Sequence, residues 1–224
     1  SHGALFGQQC FKPGMTKATY GTGSSIMMHI GNVPKDPPEG LVTSVGFGRN
    51  QAIDYVFEGN IHCTGDTLNW LAHDLKLIAS PQEAEGIAAT VPDNGGVYLV
   101  PAFVGLGAPY WDNEARACIC GMGRSATRAH VVRAALESIA YQIKDLIDRM
   151  QQQSGIPLQE LRVDGGPTRN ALLMQFQADL LQKNVVRSGI EEISALGSAL
   201  LAGLATGIWK DAEEIKALRR VDNT

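Results

Sequence analysis

With 224 residues, 44% of them hydrophobic and 19% charged, the chain can bury one full core or two small ones. Its net charge of −4 removes the electrostatic argument for nucleic acid or an anionic membrane surface as a partner. Any handling of phosphate must therefore be local, through backbone amides and glycine turns.

The first third reads as β. Residues 18–30, 41–48 and 52–61 are runs rich in Val, Ile, Thr and aromatics, punctuated by Gly and by the proline cluster Pro34–Pro38. They predict three antiparallel strands. The period then changes: in CTGDTLNWLAHDLKLI, Leu68, Leu71, Leu75 and Ile78 mark one helix face, with Thr64 or Asp66 placed to cap its start. GVYLVPAFVG, residues 96–105, is a continuous apolar run of the kind a buried central strand shows. Cys118 and Cys120 alternate within ARACICGMG, which places both in a strand. Their C-x-C spacing suits neither zinc nor redox chemistry, and with Cys10 and Cys63 they read as small buried thiols.

From Thr127 a long helix is expected, with Val132, Leu136, Ile139, Ile143, Leu146 and Met150 in one stripe. The strand LRVDGG follows, then a helix from Asn170 to Gln182 with Leu172, Leu173, Phe176 and Leu180 inward. The short strand NVVRSG precedes a small-residue helix, SALGSALLAGLATG. Nothing resembles a signal peptide, and no apolar run reaches membrane-spanning length, so a reducing cytoplasm fits best.

This order describes an α/β fold: a three-stranded β-meander followed by alternating helices and strands, with residues 1–224 as one domain. It matches an actin-like, ribonuclease-H-like nucleotide-binding domain and not a Rossmann sheet, which alternates from its start. No G-x-x-x-x-G-K-[ST] occurs, which closes the P-loop route to ATP. In such a fold, phosphates meet hairpin turns and strand ends. Three places qualify. TYGTGSSIMMHIG, residues 19–31, puts Gly21, Thr22 and Gly23 in the first hairpin, where amide N–H groups and a hydroxyl could meet a phosphate. A lone G-x-G is weak evidence, and a plain turn is the simpler account. VDGGPTRN ends a strand in Gly165 and Gly166 just before a helix, where a flat base can approach bare backbone. Asn170 there serves either as helix cap or as ligand contact. Gly65 and Asn69 bracket the first turn of the first helix, as a cap and a solvent-facing residue or as contacts.

Six segments together carry a resemblance. GVYLVPAFVGLGAPYWD resembles a stretch typical of glycerol kinases in the FGGY family of carbohydrate kinases. ACICGMGRSATRAHVVRAALE, residues 117–137, looks like that family's C-terminal signature. LRVDGGPTRNALLMQFQADLL and EISALGSALLAGLATGIW fit the same pattern, as do ALFGQ and TYGTG, so the likeness runs over nearly the whole chain. It implies the second, ATP-binding domain of a two-domain kinase, with ATP or ADP and Mg²⁺ as ligands. The partners it implies are a missing N-terminal domain and a small polyol or sugar; self-association stays open. The family's nucleotide contacts fall on Thr22, Gly65, Asn69, Gly166 and Asn170; at Asn69 many relatives carry Gln. In GLGAPYWD, Tyr110 and Trp111 are expected to pack an ordered turn at the domain core or an interface.

The resemblance also says what to miss. The family's catalytic Asp would fall just before Ser1, so no catalytic residue is assigned within the chain. Ser1-His2 is open to being a tag remnant, is not read as catalytic and is set aside. The five histidines form no triad or ligand spacing. Of Asp54, Asp66, Asp112 and Asp164, the last is the best placed for phosphate or Mg²⁺, with a structural hydrogen bond the stronger reading. Glycerol kinases commonly follow GTG with a small residue and then an aromatic. Here Ser24 and Ser25 stand there, which makes Ser25 substrate-adjacent and leaves room for a larger polyol or a ketose such as xylulose. Two other readings stay open: a non-catalytic actin-like nucleotide-binding or assembly module, and an interaction domain that has lost ATP binding.

Overall fold

The computed structural model describes residues 1–49, 52–218 and 221–224. A short helix, α1 (His2–Gly7), leads into four strands: β1 (Met15–Tyr20), β2 (Ser24–Gly31), β3 (Val42–Arg49) and β4 (Ala52–Ile61). After α2 (Gly65–His73) and α3 (Ala84–Ala88) comes a small hairpin of β5 (Tyr98–Val100) and β6 (Cys118–Cys120). The remainder alternates: α4 (Arg128–Ser154), β7 (Glu160–Asp164), α5 (Ala171–Leu181), β8 (Val185–Ser188), α6 (Ile193–Ala205), α7 (Ala212–Lys216) and β9 (Val221–Asn223).

Among the described residues, seven strands make one sheet in the order β3-β4-β2-β1-β7-β8-β9. β7 lies parallel to both β1 and β8, and the other pairings are antiparallel. The expected run 18–30 is thus two strands folded about the GTG turn, giving four where three were expected. Nor do they follow one another across the sheet, because β3 takes the outer edge and β4 returns beside β2. The helix–strand–helix alternation of the second half is as the periodicity predicts, and the mixed α/β sheet is of the actin-like, ribonuclease-H-like kind.

Side-chain alternation splits the core into two layers. Ala18, Tyr20, Ile26, Met28 and Phe57 face α4 and its neighbours. On α4 the predicted stripe of Val132, Leu136, Ile139, Ile143, Leu146 and Met150 is fully buried. Its ends carry their own stops, a capping box between Thr127 and His130 and a left-handed Gly155. The opposite face of the sheet packs Met27 and Val56 against Leu5, Phe6 and Phe11 near the N-terminus and Leu200 of α6.

Three expectations fail locally. The apolar run 96–105 is no central strand: only Tyr98–Val100 pairs, and Tyr98 and Val100 stand exposed. Cys118 and Cys120 lie in a strand as expected, yet both are exposed, because the little hairpin has one uncovered face; Cys10 and Cys63 are buried. α2 stops at His73, so Leu75 is exposed while Ile78 reaches the core from the following loop. Tyr110 and Trp111 do order a turn, but at the surface. Tyr110 Oη donates to Asp145 Oδ2 at 3.1 Å and Trp111 Nε1 to the Gly40 carbonyl, while both rings remain half exposed.

Candidate functional site

The turns that the sequence singles out meet at one end of the sheet. At the β1–β2 turn, the Gly21 amide donates to the Gly23 carbonyl at 2.8 Å, closing the loop on itself. The carbonyls of Gly21 and Thr22 accept from the first amides of α2: Gly65 N–H to Gly21 O at 2.9 Å, Thr64 and Asp66 N–H to Thr22 O at 2.8 and 3.1 Å. The turn therefore caps α2, satisfying orphan donors that a side chain would ordinarily serve. Thr64 sits at the N-cap position, yet its hydroxyl pairs with Ser24 Oγ at 2.7 Å instead of capping.

Parallel pairing of β1 with β7 sets Thr19 opposite Asp164, which brings the DGG turn beside the GTG turn. Gly165 has φ +101°, and a Cβ there would strike the Tyr20 carbonyl, so only glycine fits. Gly166 is different: a Cβ on it meets nothing within 4 Å. Its bare backbone faces open space.

That space is a cavity of about 500 Å³, lined by Gly21, Thr22, Gly65, Asn69, Gly166 and Asn170 among others. The five residues carried over from the resemblance thus converge, from three separate segments, on one cleft. Asn170 performs both roles weighed for it. Its Oδ1 accepts from Leu173 N–H at 2.9 Å as a helix cap, and the residue still lines the cavity. Gly23 and Gly165 do not line it; Gly165 lets the two turns pack closely, and Gly23 lets the first turn approach the Ile61–His62 backbone at the end of β4. Tyr20 forms part of the wall, its hydroxyl donating to Gln177 Oε1 at 3.2 Å while burial holds the phenol protonated.

Sequence reasoning missed the opposite wall. Pro81, Gln82 and Glu85, from a 3₁₀ turn (Pro81–Glu83) and α3, complete the cavity. Glu85 Oε2 also accepts from Ala171 N–H at 3.1 Å, tying α3 to the start of α5. Elements this short leave no periodic signal.

A second cavity of about 300 Å³ adjoins the first, with Gly21 lining both. Thr19, Gly23, Ser24, Ser25, Asn60 and Ser194 line it, together with Ser1, which stands at the N-cap of α1. Among the described residues no carboxylate and no histidine lines it. Ser24 is 4% exposed and engaged with Thr64, whereas Ser25 is the more accessible.

Beneath this cavity lies a group that carried no expectation. Lys17 is fully buried, its Nζ donating to Ser25 O and Ser25 Oγ at 3.0 Å each and to Thr19 Oγ1 at 3.4 Å. Burial lowers its pKa from 10.5 to about 8, against the opposing pull of Asp164, Glu58 and Cys10. Asp164 takes the structural role preferred for it: it is 5% exposed and accepts from Gln8 Nε2 and Thr19 Oγ1, both at 3.1 Å. Burial raises its pKa, partly offset by those donors and by Lys17.

Among the described residues no group of three His, Cys, Asp or Glu side chains is placed to hold a metal ion. No helix among the described residues is long and apolar enough to cross a membrane.

The model of the FGGY family of carbohydrate kinases, C-terminal domain, matches residues 16–206. "Glycerol kinase 2" of Thermotoga maritima is 52% identical over 219 residues, covering 98% of this chain and 44% of that protein. The solved structure of Plasmodium falciparum glycerol kinase with ADP superposes with a TM-score of 0.93 at 39% identity, covering 99% of this chain and 44% of that one. Xylulose kinase from Rhodospirillum rubrum gives a TM-score of 0.85 at 26% identity over 99% of this chain and 44% of that one. The chain spans less than half the length of these relatives. The larger cavity lies within the region that the family model covers, and the chain belongs to the FGGY family of carbohydrate kinases, as its C-terminal domain.

Proposed function

We propose that this chain is the nucleotide-binding half of an ATP-dependent polyol or sugar kinase. The convergence of Thr22, Gly65, Asn69, Gly166 and Asn170 on one cavity carries this reading. In it, the base lies against the bare backbone of Gly166, and the phosphates reach the GTG turn. From there the shared rim at Gly21 leads into the hydroxyl-lined cavity, where the acceptor's hydroxyl would meet the γ-phosphoryl group. In-line transfer then needs a base for that hydroxyl proton. Among the described residues no carboxylate or histidine lines the acceptor cavity, and in this reading a preceding domain supplies the base. A cytoplasmic setting, where ATP is available, accords with this reading.

The acceptor is glycerol or a larger polyol or ketose. Relatives named glycerol kinases at 52% identity favour glycerol. The serine at position 25, lining a cavity of about 300 Å³, leaves room for a longer polyhydroxylated chain. Competition kinetics on the full-length protein separate the two: a kcat/KM for glycerol above that for every four- and five-carbon candidate removes the larger substrate.

A coupled phosphoryl-transfer assay tests the reading as a whole. The full-length protein is expected to phosphorylate at least one of glycerol, xylulose and gluconate, and the 224-residue chain alone none. The isolated half is expected to bind ADP, weakened by ~1–3 kcal/mol without its partner domain. Turnover by the chain alone would show that the missing base is not missing. Nucleotide binding without transfer by the full-length protein would favour a non-catalytic actin-like module.

A further inference from the structure

Lys17 is an unusual residue to find where it is. It is fully buried on the α1–α6 face of the sheet, with no carboxylate in direct contact. Asp164 reaches it only through Thr19, whose hydroxyl accepts from Lys17 Nζ and donates to Asp164 Oδ2. Burying an ammonium this way is unfavourable for folding alone. Such an arrangement persists where the charge has another task.

The hydrogen bonds identify the task. An ammonium can only donate, so Lys17 occupies one lone pair of Ser25 Oγ. With that lone pair held by the ammonium, the hydroxyl proton of Ser25 is directed away from Lys17. Cross-strand register aligns Ser25, Thr19 and Asp164 across β2, β1 and β7, so that proton has the cavity as its free direction.

We propose that Lys17 is a positioning residue that orients Ser25 as a hydrogen-bond donor to an oxygen of the acceptor substrate. This rests on the kinase reading above. The ligand oxygen is a hydroxyl accepting through its lone pair, and the other polar side chains of the cavity serve its neighbours. Through Thr19, Lys17 also joins this donor to Asp164, which immediately precedes the nucleotide turn.

A double-mutant cycle on the full-length protein tests it, with Lys17→Met, Ser25→Ala and the pair. Each single change is expected to raise the KM for the acceptor by about tenfold, as loss of one oriented hydrogen bond does. The KM for ATP should stay within about twofold. The double variant should be no worse than either single, because both remove the same donor. Additive losses, an unchanged acceptor KM in Ser25→Ala, or a shift confined to ATP would each overturn the proposal. Ser25→Ala leaves Lys17 its contacts to the Ser25 carbonyl and Thr19, so it decides the question even where Lys17→Met does not fold. A wild-type protein with no transfer activity would instead remove the kinase reading itself.

Discussion

Gly166→Val is expected to weaken nucleotide binding by about 100-fold, or ~2.7 kcal/mol, while changing unfolding stability by less than about 1 kcal/mol. The separation follows from the geometry. A Cβ on Gly166 meets no protein atom within 4 Å, so the fold accommodates it, but the branched side chain then occupies the cavity itself. Gly165→Val is the counterpart with the opposite outcome. With φ at +101° and the Tyr20 carbonyl in the way, it strains the backbone by about 1–3 kcal/mol before any clash is counted. Calorimetric titration with ADP and denaturant unfolding of both variants check the pair. Unchanged affinity in Gly166→Val would mean that the base lies elsewhere.

The second large effect is a pH dependence. Lys17 has a pKa of about 8 in the folded chain against 10.5 when exposed, with burial as the main cause. The folded state therefore binds this proton less tightly than the unfolded state. Between these two values the unfolded chain holds more protons, so stability rises with pH. Below about pH 8 both states are protonated and the full penalty of the buried charge is present. The groups facing Lys17 are Asp164 on β7, Glu58 on β4 and Cys10 after α1, and all three moderate the shift. A fall from 10.5 to about 8 corresponds to roughly 3 kcal/mol gained between neutral and strongly alkaline pH. Lys17→Met should match or exceed the wild type in stability at pH 7, and lose this alkaline gain. Denaturant unfolding of both proteins from pH 7 to 10.5 measures the difference; parallel profiles would show that Lys17 is not buried as a cation.

That a chain can be less stable with its natural lysine bears on how much was legible in the sequence. Features governed by local chemistry were readable. The stripe from Val132 to Met150 needs only helical periodicity. Features governed by distant neighbours were not. The apolar run 96–105 has the composition of a central strand, but whether strands exist to flank it is decided elsewhere. Among the described residues only β6 does, so Tyr98 and Val100 stay exposed. β3 was readable as a strand, whereas its place at the sheet edge depends on β4 pairing with β2. At the site, the glycines announced themselves by type. Glu85 and Lys17 did not, because each gains its meaning from a group far along the chain: Ala171 for one, Asp164 for the other.

The nucleotide cleft is the claim on which the functional account depends, and backbone amide chemical shifts during an ADP titration of the ¹⁵N-labelled chain test it most directly. The account predicts that perturbations concentrate at Gly21–Gly23, Gly65–Asn69 and Gly166–Asn170, with weaker effects across the cavity at Gln82 and Glu85. Saturable shifts centred instead on the cavity between α6 and α7, around Leu204 and Asp211, with the two glycine turns silent, would contradict it.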